Sequence, residues 1–196
     1  MNSVARVADV SPNTVAKLLE EAGRACEAFH DREVRGVKAK RVQCDEIWSF
    51  CYAKKKNVEG ARAAPEGAGD LWTWTALDAD SKLIISYDCG DRDAEIANAF
   101  MADVASRLAT RVQLTTDGHA PYLQAVEGAF GADIDYAMLI KHYGEPVGAI
   151  GRYSPGDCTG IELRRVEGRP TGGTSQRPTW SARTSTCGWG CAGSRV

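Results

Sequence analysis

The stretch "VQCDEIWSF", residues 42–50, sets two adjacent carboxylates, Asp45 and Glu46, inside an otherwise largely apolar run. The run reads as a strand, and burying a charge there is costly unless something pairs with it. Neighbouring positions of a strand face opposite sides. Asp45 is therefore read as the functional acid and Glu46 as a structural one.

The segments downstream supply the setting. "LWTWTALD" alternates as a strand should, "ADSK" turns, and "LIISYDCG" returns, which makes a hairpin. Trp72 and Trp74 share one face of it and read as core. "DRDAEIANAFMADVASRLA" is a strong helix: Ile96, Phe100, Val104 and Leu108 recur every four residues, and Asp91 or Asp93 can cap it. "RVQLTTDG" is a short strand ending at Asp117 and Gly118, "YLQAVEGAFG" a short helix in which Tyr122 packs, and "DIDYAMLIK" a last strand. Three meandering strands, then helix, strand, helix, strand, predict an α/β fold with a mixed sheet flanked by helices. That order matches a ribonuclease-H-like arrangement, in which the strand after the first helix lies parallel to the first strand and beside it.

In that arrangement Asp45 and Asp117 approach to about one strand spacing, roughly 5 Å. Two anions so close repel, and a divalent cation removes the conflict. Oxygen ligands with incomplete protein coordination suit Mg²⁺ or Mn²⁺. Two such ions about 4 Å apart can activate an attacking oxygen and stabilise a leaving one at a phosphodiester. The plainer alternatives are a turn role for an Asp before Gly and an ion pair with a lysine.

Upstream, residues 4–29 read as helical. "SVARVADV" forms a short helix and "SPNTVAKLLEEAG" restarts after it, with Ser11 as N-cap, Pro12 at the first helical position and Gly23 loosening or ending the helix. Two helices with a tight joint suggest a helix-turn-helix, an ordinary helical hairpin being the other reading. Its candidate DNA contacts are Ser11, Asn13, Thr14 and Lys17. The basic loop after the first strand adds Lys54, Lys55 and Lys56, read as phosphate contacts beside the acid or as a solvated run. His119, two positions after Asp117, could approach a phosphate or the metal.

Bulk properties narrow the class. The chain has 196 residues, 43% of them hydrophobic, and a formal net charge of -2, so any nucleic-acid contact must come from locally grouped basic residues. No apolar run approaches the length of a membrane span, and no leader is evident, which predicts a cytoplasmic protein without a membrane partner, nucleoid-associated if it binds DNA. Seven scattered cysteines, of which only Cys187 and Cys191 are close, read as reduced thiols rather than a zinc site.

The blocks "VQCDEIWSF.YAKKKN", "GDLWTWTALDADSKLIISY", "VQLTTDGHAPYLQAVEGAFG" and "DYAMLIKHYG" together resemble the insertion-sequence-one family of bacterial transposases, especially its proteobacterial branch. The resemblance covers about residues 3–168. It implies a ribonuclease-H-like catalytic domain with an Asp-Asp-Glu triad, a preceding helix-turn-helix, two Mg²⁺ ions, and cutting and joining of element-end DNA. It makes Asp45 the first acid and Asp117 the second. Three segments follow: a partial helix-turn-helix over 1–35, a catalytic core over 36–168, and a tail over 169–196. Homo-oligomers, or mixed oligomers with an intact relative, are the implied assemblies.

Two departures stand out. Family members carry a further stretch before the helix-turn-helix motif, so the DNA-binding unit here is expected to lack part of its core. The third acid, expected in a helix with a motif like "YVERQNL" and a basic stretch after it, has no counterpart. Of the 28 residues from 169 to 196, 14 are Gly, Ser or Thr and none is Asp, Glu or Lys, a composition expected to be disordered. Codons permitted for "PTWSARTSTCGWGCAGS", residues 178–194, can be chosen so that skipping two bases spells "YVERQNLNMRMGMRRF", with the Glu codon falling across Trp180 and Ser181. The tail is thus expected to be an out-of-frame reading of the family's C-terminal region. Glu162 and Glu167 precede the expected helix and are not assigned the role. The resulting expectation is a transposase by descent with little or no strand transfer. The alternatives are a non-enzymatic DNA-binding remnant that inhibits an intact relative, and another nuclease of the same fold using two acids with His119.

Overall fold

The computed structural model describes residues 2–143 and 158–171. Two helices lead, α1 (Asn2–Ala8) and α2 (Pro12–Glu33), followed by strand β1 (Arg41–Cys51) and a single helical turn, α3 (Lys55–Val58). Then come β2 (Gly69–Asp78), β3 (Ile84–Gly90), α4 (Ala94–Arg107), β4 (Gln113–Asp117), α5 (Pro121–Phe130), β5 (Asp135–Tyr143) and β6 (Cys158–Glu167). The six strands form one sheet in the order β3-β2-β1-β4-β5-β6. β1 is antiparallel to β2 and β2 to β3, whereas β1, β4 and β5 run parallel. This is the ribonuclease-H-like mixed sheet that the element order predicts.

Local chemistry accounts for the elements. The β2–β3 turn closes because the buried Asp78 carboxylate accepts the Asp80 and Ser81 amides at 3.2 and 3.3 Å, together with the Ser81 hydroxyl. α4 starts where the Asp93 carboxylate accepts the Ile96 amide at 3.0 Å, a side-chain N-cap. Its Phe100 and Val104 are fully buried, and Ile96 and Leu108 pack against the same core at its ends. α4 and α5 lie on one sheet face, joined through Trp74, which is fully buried and stacks at 5.9 Å on Phe100 and at 5.4 Å on Tyr122. Val42, Cys44, Ile85, Leu114, Tyr136 and Met138 complete that core from the strands.

Three features differ from the sequence reading. α2 continues through Gly23 and runs to Glu33, four residues past the helical span read from the sequence. Gly23 lies at an exposed position with no neighbour in reach, so it costs only about 1 kcal/mol of helix propensity. The exposed pair Glu20–Arg24 spans it at helical spacing, and Lys17–Glu21 lies just before it. β6 was not expected. It pairs antiparallel with β5, yet it leaves Ile161, Leu163 and Val166 exposed, so its sequence carries no burial pattern to read. Residues 169–171, assigned to the tail, are tied down: the Arg169 amide donates to Asp135 at 2.8 Å, and the Thr171 amide and hydroxyl donate to Gln113 at 3.1 and 2.7 Å. Residues 172–196, with Cys187, Cys191 and the "YVERQNL" question, lie outside the described residues. The five described cysteines are free thiols. Among the described residues no helix is long and apolar enough to cross a membrane.

The core and the outer strand should respond differently to truncation. Phe100→Ala should cost about 3–5 kcal/mol, whereas Leu163→Ala on β6 should stay within about 0.5 kcal/mol. Urea unfolding followed by tryptophan fluorescence measures both, and equal losses would place β6 in the cooperative core.

Candidate functional site

The site follows from strand direction. β3 is antiparallel to β2, which is antiparallel to β1, so β1, β3, β4 and β5 all point their C-terminal ends at one edge of the sheet. Asp45 on β1, Asp117 as the last residue of β4, Lys141 on β5 and the residues just after β3 therefore gather there.

The β1–β4 ladder consists of Arg41–Gln113, Val42–Leu114 and Gln43–Thr115. Beyond it the strands no longer pair, and the gap opens where the acids stand. Asp45, Glu46 and Asp117 each bring one carboxylate oxygen into a cluster whose atoms lie within 4.8 Å of one another. The predicted approach of Asp45 and Asp117 is thus realised. The expectation that Glu46 stands apart is not. β1 stays paired with β2 through Asp45–Thr75 and Glu46–Trp74, so the two side chains leave opposite faces; past the end of the β1–β4 ladder both reach Asp117 through the opening. The Glu46 side chain is only 1% exposed.

Two basic residues balance the acids. The Arg92 guanidinium bridges Glu46 Oε2 and Asp117 Oδ2, each at 3.0 Å. Its position is fixed from both sides: the Trp74 indole donates to the Asp91 carbonyl at 3.2 Å, and Asp93 caps α4. The guanidinium also stacks 5.1 Å from the Trp72 ring centroid. Lys141 lines the opening with Asp45 and Asp117 and pulls the Asp45 pKa down. Burial outweighs it and holds the Asp45 carboxyl above its ordinary range, with Asp117 adding repulsion. Glu46 is raised for the same two reasons, burial first and Asp117 second, against the pull of Tyr122 and Arg92. Cys44, buried on the helix side of β1, is pushed well up by burial and then by the two neighbouring acids, so it is an inert thiol.

Three buried polar atoms here lack a hydrogen-bond partner: Glu46 Oε1, His119 Nε2 and the Tyr122 hydroxyl. Tyr122 and Glu46 sense one another electrostatically without a hydrogen bond of ordinary geometry. A cavity of ≈ 20 Å³ between β1, β4 and β5 is lined by Gln43, Asp45, Asp117 and Lys141, room for one water or a small ion. It adjoins an open depression of ≈ 340 Å³ bordered by Asp45, Arg92, Asp117, His119 and Lys141. Three converging carboxylates with an orphaned buried oxygen fit a hard divalent cation.

The other predicted site residues are less concentrated. His119 is half-buried, its ring against Trp74 at 5.8 Å and Tyr122 at 6.0 Å, and burial lowers its pKa. Its Nε2 faces the protein, so it walls the site. The lysine run does not stand beside the acid. β1 continues from Asp45 to Cys51, about 20 Å at the rise of an extended chain, before Lys54, Lys55 and Lys56 follow. Lys54 sits 4.8 Å from the Trp48 ring centroid, and Lys55 and Lys56 are exposed on α3. Ser11 caps α2, accepting the Thr14 amide at 3.1 Å. Asn13, Thr14 and Lys17 are exposed on its first turns, Lys17 paired at 3.8 Å with Glu21. Sequence reading gave Glu46 a structural role and missed Arg92 and Lys141, of which Lys141 was within reach of the strand directions alone.

No family model and no curated protein matches the chain. Two solved structures are distantly similar. A piggyBac transposase in a synaptic complex with hairpin DNA is 10% identical with a TM-score of 0.34, over 61% of this chain and 25% of that one. Endonuclease V from Bacillus subtilis is 12% identical with a TM-score of 0.28, over 64% of this chain and 57% of that one. The chain thus spans a quarter of the first and little more than half of the second. The fold assignment rests on strand order and direction.

Ionisation sets a sign for stability. Because the folded-state pKa values of Asp45 and Glu46 are raised, the stability tied to them is complete below the ordinary carboxylate range. It is lost as pH rises through the raised values. Asp45→Asn keeps an acceptor for the Glu46 amide, now 2.9 Å from the Asp45 carboxylate. It should raise the melting temperature of the metal-free chain at pH 7 by a few degrees, since 1 kcal/mol is worth about 2–4 °C at this length. Near pH 4 the gain should vanish. Thermal melts across that range in chelator measure it, and a pH-independent difference would exclude buried ionisation as the cause.

Proposed function

We propose that the chain is a transposase-type core of the insertion-sequence-one lineage that engages DNA through a divalent cation held by Asp45 and Asp117, with strand transfer lost. The observation that carries this reading is the convergence of carboxylates from β1 and β4 within 4.8 Å at the C-terminal edge of parallel strands, where open α/β sheets bind ligands. The sequence blocks quoted above, which surround those same acids, supply the lineage.

In this reading Asp45 and Asp117 hold Mg²⁺ or Mn²⁺, which when bound polarises a phosphodiester and lowers the pKa of a water. The chain's own groups orient and neutralise. Lys141 and Arg92, bordering the open depression, offer positive charge to a phosphate. His119, Trp74 and Tyr122 form a rigid wall that keeps the Asp117 loop in place, helped by the His119 amide donating to Asp117 Oδ1 at 2.9 Å. Ser11, Asn13, Thr14 and Lys17 at the start of α2, and Lys54, Lys55 and Lys56 beyond β1, are DNA-backbone contacts away from the acids. The two-metal chemistry of an intact relative needs a Glu that no described residue supplies from a C-terminal helix, so joining of DNA ends is not expected. A DNA-binding remnant that restrains an intact relative through shared ends or subunits is the second reading, favoured by the exposed polar start of α2.

A gel shift on duplex DNA carrying the ends of the encoding element, with and without Mg²⁺, tests this together with a strand-transfer assay. The expected result is Mg²⁺-enhanced binding, weakened about tenfold or more by Asp117→Ala through loss of a metal ligand, and no joined product. Joined product abolished by Asp117→Ala would show the chain to be a complete transposase. Absence of DNA binding in all conditions would refute both readings.

A further inference from the structure

We infer that Glu46 is a third metal ligand, and that one divalent cation binds among Asp45, Glu46 and Asp117 by displacing Arg92 from between the acids. The inference rests on the proposed reading that Asp45 and Asp117 hold a cation, and it assigns the rest of that site.

The Glu46 carboxylate is the most enclosed group of the cluster, with a side chain 1% exposed. One of its oxygens, Oε1, is buried without a hydrogen-bond partner. A buried carboxylate is expected to have its lone pairs satisfied, and leaving one bare costs free energy. The other oxygen, Oε2, accepts from Arg92 Nε at 3.0 Å, and a second nitrogen of the same guanidinium reaches Asp117 Oδ2 at 3.0 Å. Arg92 thus satisfies the two acids that a metal would need, and it leaves Oε1 with only the nearby Tyr122 hydroxyl, which draws the Glu46 pKa down but stands outside ordinary hydrogen-bond geometry.

Size and charge favour the exchange. Oxygens sharing one Mg²⁺ or Mn²⁺ stand no more than about 4.2–4.4 Å apart, twice the metal–oxygen distance. The three acids already hold oxygens within 4.8 Å, so the widest pair needs about half an ångström to come inside that limit. Three carboxylates face two monovalent cations, Arg92 and Lys141, which leaves negative charge over. A divalent ion supplies more charge at shorter range than one guanidinium. Arg92 has somewhere to go: its side chain is 33% exposed and borders the open depression, where a phosphate would meet it. The three acids offer one oxygen each to a single cluster, which matches one cation.

The test uses Mn²⁺ alone, titrated into the full chain and followed by the loss of the free-ion electron paramagnetic resonance signal, with calorimetry for stoichiometry. Wild type should bind one ion. Glu46→Gln, which keeps size and shape, should weaken binding about tenfold or more, as the charge count of the ligands sets affinity. Arg92→Gln should tighten it severalfold, lower the melting temperature in chelator, and show a larger Mn²⁺-induced thermal shift than wild type. If Arg92→Gln does not fold, Arg92→Lys serves: a point charge cannot bridge two carboxylates as a fork does, and binding should again tighten. Wild-type affinity in Glu46→Gln, unchanged affinity in the Arg92 variants, or a stoichiometry other than one overturns the inference. Mn²⁺ binding as described, in a chain that never binds DNA, would leave this site standing and remove the functional reading instead.

Discussion

The short parallel seam between β1 and β4 is the constraint on which the rest depends. The two strands pair from Arg41–Gln113 to Gln43–Thr115 and then separate. A longer ladder would lay β4 alongside Asp45 and Glu46 and close the opening through which both reach Asp117. A shorter one would not hold the two chain segments, far apart in sequence, at a common level. The seam ends just before the charged residues, and the opening it leaves is what lets three acids from two strands meet. Leu114 and Val42, both fully buried on the helix side, anchor the seam from below, so the site is held by core packing rather than by its own unfavourable electrostatics.

Much of this was legible in the sequence because the relevant signals are local. Asp78 and Ser81 mark a turn, Asp93 a cap, and Phe100 with Val104 a buried helix face, and each lies where its residue type predicts. The order of those elements brings Asp45 and Asp117 together before any coordinate is known. What escaped reading depends on partners distant in sequence. Glu46 looks like an outward-facing neighbour until the end of the seam is located. Arg92 looks like one charge among "DRD" until Trp74 and Asp93 are seen to aim it. β6 has too little burial to impose a period, and its place comes entirely from pairing with β5.

The helical lead-in shows the opposite balance of forces. α1 buries only Ala5 and α2 buries nothing, while Val4, Val7, Leu18 and Leu19 stay exposed. Contact with the sheet is made near the end of α2. His30 Nε2 lies 2.9 Å from the Ile84 carbonyl, its ring meets Tyr87 edge-on, and Asp31 pairs with the buried Arg107 at 2.8 Å. Arg107 in turn holds Asp103, which accepts from the buried Ser86.

That attachment makes α2 a cantilever. Its 22 residues amount to a rod of about 33 Å, held to the sheet at its base by His30 and Asp31 and packed against α1. A tilt of about 10° at the clamp carries the tip about 6 Å sideways, more than one turn of helix pitch. The polar groups around Ser11 ride on that tip, whereas the acids sit on the six-stranded sheet over the core. Whatever the tip touches is therefore located within a swept arc, and the distance from tip to acids is set by the angle at which Arg107 grips Asp31.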